Sequence, residues 1–553
     1  MKKQILTEWA GLAVVLVTMS FLFLRQITNA TLIHTDADRY LMDGIFFVDF
    51  FREMPLDRIY DFTARYYVQY PALSISYKMP FFPMVEAIFN AVFGLHVWSS
   101  RLAVLAFALC GVTAWYKLIQ RIFSNEIAFW SSLVLVTTPF LVQWAWYPMS
   151  EIPFLSMTLL TAFFFYRYTE DLKPGYLYLT AVFLGLSVLT KQTAVFMILW
   201  FVPYLLVRPG WSRCLKRKEI WISFLLGLLC LAPFIFITLR YGTHNILQSI
   251  GVNRLANPGW RFDWNNLKIY WLTLAKVHLT LPVFLLSLAG LGGALLKRDF
   301  KVIYFVFSIF ATYIFFTYLV AKDARYPISW IPAFSLFAVL PLFYLQRKKI
   351  IRRVVAGVLF LIIGYQVGRA YAVTPQYAVG YREAAEYVIH HRNSPMVLFD
   401  GHFDGHFIYF IRVLDPAKSI FVLRADKLLN SPAVKKSNGI KFRQGKKLSQ
   451  ADIQNILDEY GVEYLVVETK TYVPMDNRGY PLPPRHPELY ELLANREQFQ
   501  LVKEIPIRSN WGSLRGQTVK IYWYVNAKPR SAEFIEYNVP VIGTTIKVPL
   551  EAA

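Results

Sequence analysis

The side chains best suited to chemistry gather between His34 and Pro83, directly after a first apolar run. Asp36 and Asp38 are acids just after that run. Tyr70-Pro71 and Met79-Pro80 stiffen the backbone, and Lys78 stands between them, beside apolar sequence again. A carboxylate and an ammonium at a lipid boundary suit one task well. The acid draws a proton from a nucleophile while the cation holds an anionic leaving group. Each residue also has a plainer use. An aspartate here can cap a helix or ligate a metal. A lysine beside proline can snorkel, or bind a lipid phosphate as a point charge.

Five more candidates are spread along the chain. Arg101, at the start of the next apolar run, is a candidate second phosphate contact. Met149-Ser150-Glu151-Ile152-Pro153 opens a helix, where Glu151 also suits the macrodipole and Pro153 is tolerated. Leu189-Thr190-Lys191 is a short turn. Lys322-Asp323-Ala324-Arg325-Tyr326-Pro327 is a charged turn that could simply anchor at the interface. A fifth, running from Asp400 to His406, could place His402 and His406 on one helical face for a metal. Its two Asp-Gly pairs fit a capped strand-to-helix turn better.

Those residues need a scaffold, and composition says which kind. Of 553 residues, 56% are hydrophobic and 17% charged, against about 25% charged in soluble domains. The apolar residues come in about eleven runs, near 9–24, 102–118, 127–146, 152–166, 176–189, 194–207, 220–239, 279–296, 302–320, 326–345 and 354–367. The chain therefore reads as a mainly α, polytopic membrane protein. The net charge of +22 would suggest nucleic acid in a soluble protein. Here the basic residues lie between apolar runs and report topology instead. Clusters at 2–3, 117–121, 167–173, 208–218, 297–301 and 347–353 all fall on one side if the N-terminus is cytoplasmic. The loop 27–100, Glu151, Lys191, Arg325 and the C-terminal region then share the outer side. Arg25 ends the first run with no small-residue cleavage site after it, which predicts an uncleaved first helix. Cys110, Cys214 and Cys230 suggest no disulfide framework.

Within the first loop, Phe46, Phe47, Phe50, Phe51 and Met54 recur at helical spacing, with Asp43, Asp49, Arg52 and Glu53 on the other side. This predicts an amphipathic helix in the membrane interface. A second is expected over 81–93, ending at Gly94. The last five apolar runs carry no acid, which disfavours a transporter or flippase with ionisable groups at the midplane. A non-catalytic anchor would not need acids and bases gathered at span ends. After Gly368 the composition becomes that of a soluble α/β domain. Helices are expected over 383–390 and, capped by Ser449, up to Glu459 before Gly461. Strands are expected over 396–399, 464–467 and 519–525, and the tail from Ala527 reads as an extended covering segment.

Taken together the pattern resembles the GT-C class of integral membrane glycosyltransferases that use polyprenyl-phosphate sugars, among them protein O-mannosyltransferases and bacterial aminoarabinose transferases. Asp36-Ala37-Asp38-Arg39-Tyr40 resembles the class's acidic motif, with the second acid displaced by one place. Lys78-Met79-Pro80, Phe93-Gly94, Ser100-Arg101-Leu102, Met149-Ser150-Glu151-Ile152-Pro153, Leu189-Thr190-Lys191-Gln192 and Arg325-Tyr326 follow in the class's order over residues 1–370. The resemblance implies a transmembrane glycosyltransferase domain over 1–370, and composition and charge add an extracytoplasmic α/β domain with a tail over 371–553. It implies inverting transfer to a hydroxyl of a lipid, glycan or protein at the external face of a bacterial inner membrane. Asp36, Asp38 and Glu151 would be catalytic. Lys78, Arg101, Lys191 and Arg325 would bind the donor phosphate, and Tyr40, Tyr70 and Tyr77 would line the substrate. No cofactor is required, the metal question stays open, and no nucleic-acid partner is implied.

Overall fold

A computed structural model describes residues 2–28, 34–74, 78–208, 210–212, 217–239, 261–297, 299–319, 322–344, 349–429, 433–437, 440–444, 448–469, 487–539 and 544–550. Tyr77 lies outside them. The first two thirds are helical: α1 (Lys2–Leu24), α2 (Thr35–Glu53), α3 (Ile59–Gln69), α4 (Phe81–Phe93), α5 (Val97–Ile122), α6 (Asn125–Val136), α7 (Pro139–Ala145), α8 (Glu151–Asp171), α9 (Pro174–Thr190), α10 (Met197–Val207), α11 (Glu219–Ile237), α12 (Trp264–Thr273), α13 (Leu281–Leu296), α14 (Ile303–Tyr318), α15 (Ile331–Tyr344) and α16 (Lys349–Ala372). Among the described residues, five helices are long and apolar enough to cross a membrane: Val97–Ile122, Glu219–Phe236, Phe300–Tyr318, Tyr326–Tyr344 and Arg353–Ala372. Helices α6 and α7 together make a sixth candidate, bent by 60°. Trp9–Leu24, Phe81–Phe93, Pro174–Thr190, Gln192–Val207 and Leu281–Leu296 are shorter apolar helices.

The bend between α6 and α7 divides a run that reads as one span. Pro139 opens α7, and Thr138 before it is extended, as the residue ahead of a proline prefers. The break turns Trp144, Trp146 and Tyr147 away from the line of α6. The helix over Phe81–Phe93 has the expected bounds, and Gly94 ends it at φ +89°.

Helix α2 departs from the expected picture of an interfacial helix with a solvated polar side. Asp43 and Asp49 are each 1% exposed. Asp43 accepts from the Ser74 amide at 2.7 Å and its hydroxyl at 2.6 Å. Asp49 is clasped by Arg412 from the far end of the chain, at 2.6 and 2.7 Å. A polar helix face signals only that polar partners are needed, and here protein supplies them in place of water. Helix α3, which has no expected counterpart, serves the same junction. Its Ala64 and Val68 are buried in the core of the C-terminal domain, and Gln69 donates to the Lys418 and Ile420 carbonyls.

The C-terminal domain is α/β. Strands β1 (Ala378–Val379), β2 (Met396–Asp400), β3 (Phe421–Arg424), β4 (Ala433–Ser437), β5 (Ile440–Gln444), β6 (Tyr464–Glu468), β7 (Phe499–Pro506), β8 (Arg508–Ser509), β9 (Thr518–Tyr524), β10 (Phe534–Val539) and β11 (Thr544–Pro549) alternate with α17 (Tyr381–His391), α18 (Asp404–Leu414), α19 (Ala425–Leu428), α20 (Gln450–Tyr460) and α21 (Pro487–Leu493). The main sheet has the order β3-β2-β6-β9-β7. Its β3-β2-β6 half is parallel, and β9 and β7 run antiparallel. Strands β2 and β6 are buried throughout, which explains their continuous apolar sequence. Ser449 caps α20 in a reciprocal box with Asp452. The tail beyond Ala527 contains a hairpin, β10 against β11.

Candidate active site

Asp36 and Asp38 occupy the first turn of α2, but neither caps it. The cap is His34, whose Nδ1 accepts the Asp36 amide at 3.3 Å. Burial and the Arg325 charge depress the His34 pKa, which favours the neutral ring this acceptor role requires. His34 precedes Asp36 by two residues, and its sequence gives no cap signal, because histidine is not among the usual caps.

Asp36 is the centre of a chain of alternating charges. Arg325 Nη2 donates to its Oδ2 at 2.9 Å, and Lys78 Nζ stands 3.5 Å from its Oδ1. Lys78 also donates to the Asp36 carbonyl at 2.7 Å and lies 3.9 Å above the Tyr40 ring. Arg325 Nη1 continues to Glu151 Oε1 at 3.5 Å, and Lys191 donates to the same oxygen at 3.0 Å. Asp323 braces the far edge of Arg325 at 3.4 Å. Tyr40 donates to the Ser150 hydroxyl at 2.8 Å, tying α2 to the residue before Glu151. Asp36, Lys78, Glu151, Lys191 and Arg325, expected on one side of the membrane from charge alone, thus meet in one cluster.

The electrostatics follow. Burial alone would raise the Asp36 pKa, but Lys78 and Arg325 overcome it and hold the carboxyl well below its ordinary value. Lys78 is lowered by burial, against the pull of Asp36 and Asp43. Burial also lowers Arg325, but Glu151, Asp36 and Asp323 outweigh it and leave the guanidinium firmly charged. Asp36 keeps 32% of its side chain exposed, whereas Glu151 keeps 2%. Asp36 is therefore the more exposed of the two acids, and Glu151 is buried against Arg325 and Lys191.

Other expected site residues lie elsewhere. Arg101 donates to main-chain carbonyls of Trp146 at 2.8 Å and Ile27 at 2.6 Å. It fastens the segment after α1 to the end of α7 and is 4% exposed. Tyr70 is fully buried, its ring 5.1 Å from Tyr66. Asp38 turns from the cluster toward the C-terminal domain, where His406 Nδ1 stands 2.6 Å from its Oδ2. The segment from Asp400 to His406 is the strand-to-helix turn between β2 and α18. Its His402 and Phe403 amides donate to Glu468 at 2.9 and 3.0 Å. Among the described residues, no group of three His, Cys, Asp or Glu side chains is placed to hold a metal ion.

Comparison with known proteins bears on the fold. The family of dolichyl-phosphate-mannose-protein mannosyltransferases matches residues 77–237. The crystal structure of ArnT from Cupriavidus metallidurans in the apo state superposes with a TM-score of 0.60, at 16% identity, over 92% of this chain and 99% of ArnT. The chain has the fold of the GT-C glycosyltransferases. ArnT bound to undecaprenyl phosphate is similar too, with a TM-score of 0.58, 16% identity and the same coverage of 92% and 99%. The oligosaccharyltransferase of Archaeoglobus fulgidus in the apo form gives a TM-score of 0.54 at 12% identity, over 82% of this chain and 69% of that one. No curated protein sequence matches the chain. The resemblance read from the motifs over 1–370 is thus met by a family match over residues 77–237 and by a shared fold.

Proposed function

We propose that the chain transfers a sugar from a polyprenyl-phosphate donor to an acceptor hydroxyl, with inversion, at the membrane face that carries the Asp36 cluster. The observation that carries this reading is the reachable Asp36 carboxylate set between two cations, Lys78 and Arg325. ArnT, of the same fold, is known bound to undecaprenyl phosphate. A lipid phosphate would engage Lys78, Arg325 and Lys191, and Glu151 would keep the last two in register. As the phosphate draws the cations, Asp36 loses their hold and becomes a stronger base. The acceptor oxygen then attacks the anomeric carbon, the bond to the phosphate oxygen breaks, and the phosphate leaves with the electron pair. The acceptor proton passes to Asp36, late in the step, because a hydroxyl is far less acidic than a carboxyl group. The roles use no metal.

Helix α2 and the C-terminal domain touch through Asp49 and Arg412, which supports a shared side of the membrane for both. Lysine and arginine placement supports the extracytoplasmic side. The test is transfer by purified protein from a polyprenyl-phosphate sugar. Asp36→Asn should fold and lose on the order of 10²- to 10⁴-fold in rate, as for a missing general base. Lys78→Ala should weaken donor use, and Lys78→Glu should weaken it further. Parent-rate transfer by folded Asp36→Asn would end the reading.

A further inference from the structure

Asp36 and Asp38 share the first turn of α2, and the C-terminal domain holds that turn by its second acid. The hold is close. His406 Nδ1 and Asp38 Oδ2 are 2.6 Å apart, and each side chain is at most 4% exposed. Beside them Gly405 lies against the helix, where an added methyl would stand 2.7 Å from the Asp38 Cβ. No real side chain tolerates that separation without something moving. His406 itself is fixed. Its ring lies 5.1 Å from Phe403, edge to face, and 5.3 Å from Tyr381. The Tyr381 hydroxyl donates to Glu468 at 2.9 Å, and Glu468 also takes the His402 and Phe403 amides. The turn before α18 is thus locked to the end of β6. One residue along α2, Arg39 meets Asp404, which also pairs with Arg424. About three turns further, Asp49 takes Arg412.

We infer that His406 and Gly405 are positioning residues for the reaction, and that the C-terminal domain sets the place of Asp36 through Asp38. The inference rests on Asp36 acting as the base. Consecutive helix positions are rigidly related, so a shift of the Asp38 backbone shifts Asp36 with it. Displacing a reacting group by about 1 Å costs up to about 10²-fold in rate. Neither residue need touch a substrate for this to matter. The soluble domain then belongs to the catalytic apparatus rather than standing beside it.

The experiment uses the full chain in detergent, with a polyprenyl-phosphate sugar as donor. Three variants are compared: His406→Ala, His406→Asn, whose amide can stand where Nδ1 stands, and Gly405→Ala, which removes no polar group. His406→Ala and Gly405→Ala should lower kcat on the order of 10- to 100-fold and leave the donor KM near that of the parent. His406→Asn should restore most of the rate. Hydrogen exchange of the peptide over 34–41 should rise in the two impaired variants and stay near parent in His406→Asn. Parent kcat in both His406→Ala and Gly405→Ala overturns the inference, as does a loss confined to KM. Equal impairment of His406→Asn and His406→Ala overturns it too. If His406→Ala does not fold, His406→Asn and Gly405→Ala decide. If the parent transfers nothing, the glycosyl-transfer reading has failed, and unchanged exchange over 34–41 would separately refute the positional link.

Discussion

Arg325→Gln tests how the cluster sets the basicity of Asp36. The substitution removes the cation that donates to Asp36 Oδ2 at 2.9 Å, yet leaves an amide able to hydrogen-bond. An arginine beside an aspartate lowers its pKa by about one to three units, or about 1.4 to 4 kcal/mol at 1.36 kcal/mol per unit. Lys78 remains 3.5 Å from the other oxygen, and Lys191 still holds Glu151 at 3.0 Å. Part of the compensation therefore survives, and the Asp36 pKa should rise toward its ordinary value. The assay is kcat/KM for transfer against pH, which reports groups of the free enzyme. In the parent, the Asp36 limb lies below the ordinary carboxylate range, since the folded pKa is depressed. In Arg325→Gln the limb should move up toward that range. Stability has a definite sign. A depressed folded pKa stabilises the fold at pH above the unfolded value, and this is lost as pH falls through the folded value. Arg325→Gln should therefore melt earlier at neutral pH, with the gap narrowing on acidification. An unmoved acid limb, with only the donor KM raised, would mean that Arg325 meets the phosphate but does not tune Asp36, and the electrostatic argument would be wrong.

Removing Arg412 should be costly, because it strands a buried carboxylate. Arg412→Met should lose about 3 kcal/mol, the low end for breaking a buried pair, as Lys418 at 3.2 Å and the Tyr66 hydroxyl at 2.9 Å remain on Asp49. Asp49→Leu with Arg412→Met should recover most of it, and additive losses in a detergent melting series would refute the coupling. Glu468 carries the opposite sign to Asp36. Burial raises its pKa from 4.5 to about 7, so the fold binds its proton more tightly than the unfolded chain does. Its effect is most favourable below the unfolded value and is lost as pH rises toward 7, on the order of 3 kcal/mol for that shift. Glu468→Gln should flatten stability between about pH 5 and 8, and an undiminished slope in the variant would place the titrating group elsewhere.

Much of this protein is written locally in its sequence. Apolar runs mark the helices, the proline and glycine around 81–94 bound α4, and Ser449 with Asp452 caps α20. Those signals are legible because the interacting groups are neighbours along the chain. The placement of Asp36, Lys78, Glu151, Lys191 and Arg325 on one side also followed from sequence, because span ends and basic loops fix which turns share a face.

Tertiary structure decided what those groups do there. Asp36 and Asp38 are equal candidates by type, but two residues on a helix point about 200° apart. One therefore meets Arg325, 289 positions away, and the other meets His406 in another domain. Arg101 matches the expected motif, yet its guanidinium is taken up by main-chain carbonyls of the chain after α1 and the end of α7. Asp43 and Asp49 lie on the polar side of α2 by sequence, yet each is 1% exposed. Residue type sets the charge, and the charge pattern predicts which turns share a side. Which charge is paired, which is reachable and which merely holds the others depends on partners from 40 to 363 positions distant, and only folding brings them within a few ångströms.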